Sequence, residues 1–194
     1  MKKIILSAIA MVLLALPMYA QKIDSDKTDP NGVRSISTSS KMIVVFGKGG
    51  IYYSLLNVIQ PEGDEQYYIS TILPSTNDFN IPKDGLLLIK TGSNKVIECK
   101  RIREEHESSD PIGTYDRTVK VITHHISGMF KVSLEDLKSI ASDGIIKVRI
   151  DTSNGYRDWD YKKKNQEKSK EYFNESLANI EEAKKKSSDI REGF

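Results

Sequence analysis

Met42-Ile43-Val44-Val45-Phe46-Gly47-Lys48-Gly49-Gly50-Ile51-Tyr52-Tyr53-Ser54-Leu55-Leu56-Asn57-Val58-Ile59 sets two β-branched and aromatic runs on either side of a glycine-rich break. Such side chains suit a pleated, half-buried surface, and glycine supplies the backbone angles of a tight reversal, so the stretch predicts a β-hairpin. The same texture continues downstream. Gln66 to Leu73 reads as a strand between the turn chemistry of Pro61-Glu62-Gly63-Asp64 and Pro74-Ser75-Thr76-Asn77-Asp78. Leu86 to Lys90 and Lys95 to Arg103 flank Thr91-Gly92-Ser93-Asn94 as a second hairpin, and Arg117 to His125 follows the polar loop Glu104 to Pro111 as a further strand. With no long helix between these strands, antiparallel pairing is expected, because parallel neighbours need crossovers of roughly a dozen residues.

A helix is predicted first at 133–142. Ser133 stands at the cap, Asp136 three residues on, and Leu134, Leu137, Ile140 and Ala141 fall at helical spacing before Gly144 stops the run. Ile145 to Ile150 then alternates Ile146, Val148 and Ile150 with Lys147 and Arg149, as in a sheet with one wet face. Residues 158–194 are highly charged, and Phe173, Leu177 and Ile180 keep the spacing of a narrow apolar stripe, which predicts a long amphipathic C-terminal helix. Only Tyr172 to Ala183 has the side chains to dock, and Lys162-Lys163-Lys164 suits the positive end of a helix dipole poorly, so the helix start is not fixed by charge. The expected fold class is α+β: an antiparallel sheet or sandwich over 41–157 with one short and one long helix.

The strand–helix–strand run Phe130-Lys131-Val132-Ser133-Leu134-Glu135-Asp136-Leu137-Lys138, with Gly144-Ile145-Ile146-Lys147-Val148-Arg149-Ile150 after it, resembles a pattern in small exported Bacteroidetes proteins of unassigned function. The resemblance implies export and a β-rich domain. It carries no active-site residue.

Export is also expected from the first twenty residues. Lys2 and Lys3 precede an apolar run from Ile4 to Leu16, then Pro17 and Met18-Tyr19-Ala20, which is the order of a signal peptide cleaved after Ala20. The run is too short for a spanning helix, which needs roughly 20 apolar residues. The only cysteine, Cys99, is far from the cleavage point, so no lipid anchor is expected there and no intramolecular disulfide can form. Residues 21–40 are polar and turn-rich and read as a flexible leader. Of 29 basic residues Lys2 and Lys3 leave with the signal, so 27 basic balance 27 acidic residues and nucleic acid is not an expected partner. A periplasmic or secreted protein follows, with no membrane span after cleavage.

Catalytic motifs fail on spacing. His106-Glu107-Ser108-Ser109-Asp110 has the outline of a metalloprotease helix, but Asp110 replaces the second histidine and Pro111 follows. His124 and His125 are adjacent in a strand and so face opposite ways. Gly47-Lys48-Gly49-Gly50 leads into a strand, not the helix a phosphate loop requires. Asp151, Asn154, Asp158 and Asp160 could gather round calcium, but Tyr156 occupies the position where an EF-hand needs glycine. No metal and no cofactor are expected.

Two sets remain as candidate contacts. Tyr156, Arg157, Asp158, Trp159 and Tyr161 combine rings with an arginine and a carboxylate and could form a platform for a sugar or peptide; the competing reading has Trp159 anchoring the last helix on the sheet. Tyr172, Phe173, Leu177 and Ile180 form the helical stripe that could meet a partner. The leading expectation is a non-enzymatic binding or accessory module for an envelope protein or glycan. Two alternatives stand beside it: a hydrolase of envelope polymers whose site gathers residues such as His106, Asp110 and His124, and a structural protein that self-associates through its last helix.

Overall fold

The computed structural model describes residues 22–45, 49–75, 79–102, 108–116 and 119–192, and the side-chain surroundings of these except 108–116, 119–123 and 187–192. The expected signal peptide, the turn residues Gly47 and Lys48, and His106 lie outside the described residues. Eleven strands form one sheet: β1 Ile23–Thr28, β2 Arg34–Thr38, β3 Lys41–Val45, β4 Gly49–Ile59, β5 Glu65–Ser75, β6 Leu86–Thr91, β7 Val96–Arg101, β8 Ser108–Asp116, β9 Val119–Val132, β10 Ile145–Thr152 and β11 Gly155–Asp160. The helices are α1, Leu134–Asp143, and α2, Lys163–Glu192. The architecture is α+β, a mainly antiparallel sheet with one short helix and one long C-terminal helix.

The strands run in the order β1-β2-β4-β5-β9-β7-β6-β10-β11, with β3 also on β4 and β8 also on β9. Length explains the two extra pairings. β4 gives Gly49 to Tyr53 to β3 and Leu56 to Ile59 to β2, while β5 lines its other edge. β9 likewise meets β8 along its first part and β7 at Phe130 and Lys131.

Period-two alternation then sorts the side chains. Tyr67, Ile69, Thr71 and Leu73 of β5 point to the core, as do Tyr53 and Leu55 of β4 and Val148 and Ile150 of β10. The inner face is covered by α2, and the sheet curls round it. Within about one turn of that helix, Asn165 Nδ2 donates to Val44 O of β3 at 2.9 Å and Ser169 Oγ accepts from Ile145 N of β10 at 2.8 Å. Strands from the two halves of the sheet order, β3 on β4 and β10, therefore meet the same helical turn. Across this space the hydroxyls of Tyr53 and Tyr161 share a 2.7 Å hydrogen bond.

Local chemistry sets the junctions. Ser133 caps α1, its hydroxyl accepting from Asp136 N at 3.0 Å, and Gly144 ends it with φ +70°. A Cβ at Gly144 would stand 2.6 Å from Gln166 O, so glycine is also what lets α2 pass this close. α2 buries Ser169, Tyr172, Phe173, Ser176 and Ile180, which follow the spacing of one helical face.

The structure corrects three boundaries. Residues 21–40 are not a flexible leader: Asp29-Pro30-Asn31-Gly32 joins β1 to β2, and Ile36 is fully buried. Asp29 Oδ1 accepts from Asn31 N and Val33 N, both at 2.9 Å, which closes that turn. Arg34 then bonds both oxygens of Asp26 at 2.8 and 2.7 Å and Ala183 O at 2.8 Å, fastening the hairpin to α2. The polar loop ending at Pro111 gives way from Ser108 to β8, with the pairing shifted between Ser109 and Ile112, around the proline that lacks an N–H. The last helix begins at Lys163, not 158, because Gly155 to Asp160 pairs with β10 as an eleventh strand.

Among the described residues no helix is long and apolar enough to cross a membrane.

Candidate functional site

β11 divides the aromatic–acidic cluster between two faces. Trp159 and Tyr161 are buried, while Tyr156 and Asp160 are exposed. Arg157 lies over the Phe79 ring, 4.0 Å from its centroid. On the outer face Arg149 grips Asp158 through Nε and Nη2 at 2.7 and 2.9 Å, Lys147 Nζ adds a contact at 2.9 Å, and Tyr156 lies 3.9 Å beneath the same guanidinium. The Arg149 guanidinium, with Lys147 beside it, holds the Asp158 carboxyl well below the usual carboxylate range. Tyr156, Arg157, Asp158, Trp159 and Tyr161 are thus not brought together as one platform. Trp159 and Tyr161 serve the core.

The helical stripe is divided too. Tyr172, Phe173 and Ile180 are fully buried against the chain's own sheet, so they do not offer the partner surface expected of them. Phe173 meets Tyr53 and Tyr172 edge-on at centroid distances of 5.9 and 5.1 Å. Tyr172 Oη donates to Tyr53 O at 2.8 Å, which satisfies its polar end inside the core. Leu177 alone is only half buried.

Leu177 lies on a groove of about 870 Å³ where α1 and α2 diverge over the ends of β5 and β9. The two helices are close at one end, where Gln166 Nε2 donates to Asp143 O at 2.8 Å and Asn174 Nδ2 to Ala141 O at 2.6 Å. Past that contact they part, and Val132, Leu134, Leu177 and Tyr67 form the walls and floor. Its charged lining comprises Glu65, Glu181 and Lys184, which bond to one another, and Lys131 and Lys138, which do not join them.

Lys184 is fully committed. Its Nζ donates to Glu65 Oε1 and Oε2 at 3.0 and 2.9 Å, to Glu181 Oε1 at 2.6 Å and to Tyr67 Oη at 3.3 Å. Tyr67 Oη in turn donates to Glu65 Oε2 at 2.7 Å. Burial raises the Glu65 carboxyl, yet the bonds from Lys184 and Tyr67 outweigh it and hold the group below its ordinary value. Burial, with Glu65 accepting from the hydroxyl, pushes Tyr67 up to about 12. Burial also works against the charge on Lys184, but its acceptors prevail and raise its pKa. The other two lysines differ. Lys131 reaches only the neutral Gln66 Oε1, at 3.4 Å, and Lys138 is exposed with no carboxylate partner among the described residues.

Of these groove residues the sequence alone marks only Leu177 as a contact. Leu134 was legible as a helix residue, but the lysines and glutamates are ordinary surface types until the fold assembles them.

Of the hydrolase set, His106 and the side chain of Asp110 lie outside the described residues, and the two histidines of β9 do not share a face. His124 opposes Ser75 and His125 opposes Pro74 on β9, and successive residues of a strand face opposite ways. Asp151 is occupied, its Oδ2 accepting from Leu86 N at 3.0 Å. Among the described residues no three His, Cys, Asp or Glu side chains converge as metal ligands. Cys99 is buried, which pushes its thiol up to about 12. Comparisons with known protein families, with curated proteins and with solved structures found no match.

Proposed function

We propose that this chain is an exported, non-enzymatic binding module of the cell envelope, working through the groove between α1 and α2. The observation that carries the reading is the groove itself: a volume of about 870 Å³ with aliphatic walls and a few placed charges. Specific ligand sites have this composition and fall in the range of roughly 300–1,000 Å³. Its ionisable groups favour holding over chemistry. A general acid or base works best with a pKa near the operating pH, whereas Glu65 is held low and Tyr67 is raised to about 12. The charged and apolar order of residues 1–20 supports export.

Two measurements on the native protein test the reading. Intact mass after cell fractionation is expected to find an envelope or secreted protein that begins at Gln21; a cytosolic protein retaining Met1 overturns export. Amine-reactive labelling in intact envelopes, against the same protein purified, is expected to find Lys131 and Lys138 protected by a bound partner. Equal labelling of both lysines in the two preparations overturns binding at the groove.

A further inference from the structure

We propose that the occupant of this groove is an acidic segment of a partner protein, with an apolar side chain seated on Val132, Leu134 and Leu177 and a carboxylate drawn to Lys131 and Lys138. The proposal rests on the binding-module reading and narrows it to one ligand chemistry. Its basis is the unequal pairing of the charges that line the groove. Glu65 and Glu181 share the single cation Lys184, so their hydrogen bonds are met within that cluster although it keeps one net negative charge. Lys131 and Lys138 add two cations to the lining, which leaves it with one net positive charge, and the only acceptor either meets among the described residues is a neutral amide. A ligand gains most by supplying the missing anion there while covering the aliphatic floor, because opposite charges steer encounter and set register while apolar contact supplies area.

The same lining argues against other occupants. A sugar ring needs an open aromatic face, and the one aromatic residue here, Tyr67, has its ring 4 % exposed as a residue and its hydroxyl engaged with Glu65 and Lys184. An acyl chain needs a longer apolar enclosure than three aliphatic side chains provide. A peptide offers what the groove lacks at the right spacing, since neighbouring side chains of a short segment can present an apolar group and a carboxylate to adjacent surfaces.

The test uses the full mature chain and a fluorescent octapeptide of alternating Leu and Glu, read by anisotropy. Counterparts with Gln or Lys in place of Glu, together with dodecanoate and an N-acetylglucosamine trimer as competitors, distinguish the occupants. The expected order of binding is Glu over Gln over Lys, with affinity falling as salt rises. The double variant Lys131→Glu/Lys138→Glu, changed at the surface and expected to fold normally, should bind the Glu peptide about tenfold more weakly, a reasonable sum for two exposed charges reversed. Equal binding of the Gln peptide, an unaffected double variant, or no binding of the Glu peptide overturns the acidic-segment proposal. Displacement by dodecanoate or by the trimer alone also overturns it, in favour of that chemistry. If Lys131 and Lys138 are nonetheless protected in the envelope, the binding-module reading survives such a failure. Loss of that protection removes both.

Discussion

The sheet-facing side of α2 and its α1-facing side belong to one helix but are made for different neighbours. Toward the sheet, Tyr172, Phe173 and Ile180 are fully buried, and the polar end of Tyr172 finds Tyr53 O inside the core. Toward α1, Leu177 is half buried, and Glu181 and Lys184 border an open groove. The first side gains its energy from apolar area and packed rings, which hold the helix in one place. The second keeps charges at the edge of water, where they contribute little stability and remain able to meet something else. A rigid dock on one side thus allows a groove to stay open on the other.

The largest test of that contrast is Phe173→Ala. Removing a buried ring leaves both lost contacts and a cavity, so unfolding in urea should show a loss of about 3–5 kcal/mol. A loss under about 1 kcal/mol would mean that α2 is not docked by this side, and the contrast would collapse. Lys184→Met comes next. It keeps the stem but strips Glu65, Glu181 and Tyr67 of their shared donor, and a cost of about 1–2 kcal/mol is expected for a largely buried cation with several acceptors. Pairing it with Glu65→Gln in a double-mutant cycle should give a sum of single losses larger than the double loss; strict additivity would show that the two groups do not act together.

The same contrast explains how far the residues alone could be read. The hairpin around Gly47 to Gly50, the capped helix at Ser133 and its stop at Gly144 were legible because each depends on neighbours in sequence. The β1–β2 hairpin was not, since only Ile36 and a few scattered apolar residues mark it, although its turn at Asp29 to Gly32 was plain. β11 was missed despite a local sign: Asn154-Gly155 is a favoured hairpin dipeptide, and Gly155 takes φ +107°. Tyr172, Phe173 and Ile180 were readable as an apolar stripe, but whether a stripe meets its own sheet or a partner is a tertiary fact. The groove lay beyond reading for the same reason. Glu65, Lys131, Lys138 and Lys184 come from β5, β9, α1 and α2, and no spacing in the chain announces their meeting.

Glu65 is lowered in the folded chain, so its contribution to stability is complete above the ordinary glutamate pKa of about 4.3 and fades as pH falls through its folded value. Wild-type protein should therefore lose more stability between neutral and acid pH than Glu65→Gln does. Parallel curves would show that the carboxylate has no folded partner.

The smallest expected effect is at Asp158, which carries the contrast to the outer face of the sheet. Arg149 binds it with two parallel hydrogen bonds and Lys147 adds a third contact, an arrangement tighter than most surface pairs. The partners, however, are open to water, where solvent screens the attraction and the unfolded chain recovers hydration for each charge. Asp158→Asn should lower the urea midpoint slightly at low salt and leave it unchanged at high salt, because screening removes what the pair contributes. Meanwhile peptide binding at the groove should be unaltered, since Asp158 is not among its lining residues. A salt-independent drop as large as that of Lys184→Met would place this outer cluster with the core instead of the surface, and would show that charge exposed on the sheet and charge bordering the groove are not separable kinds of interaction.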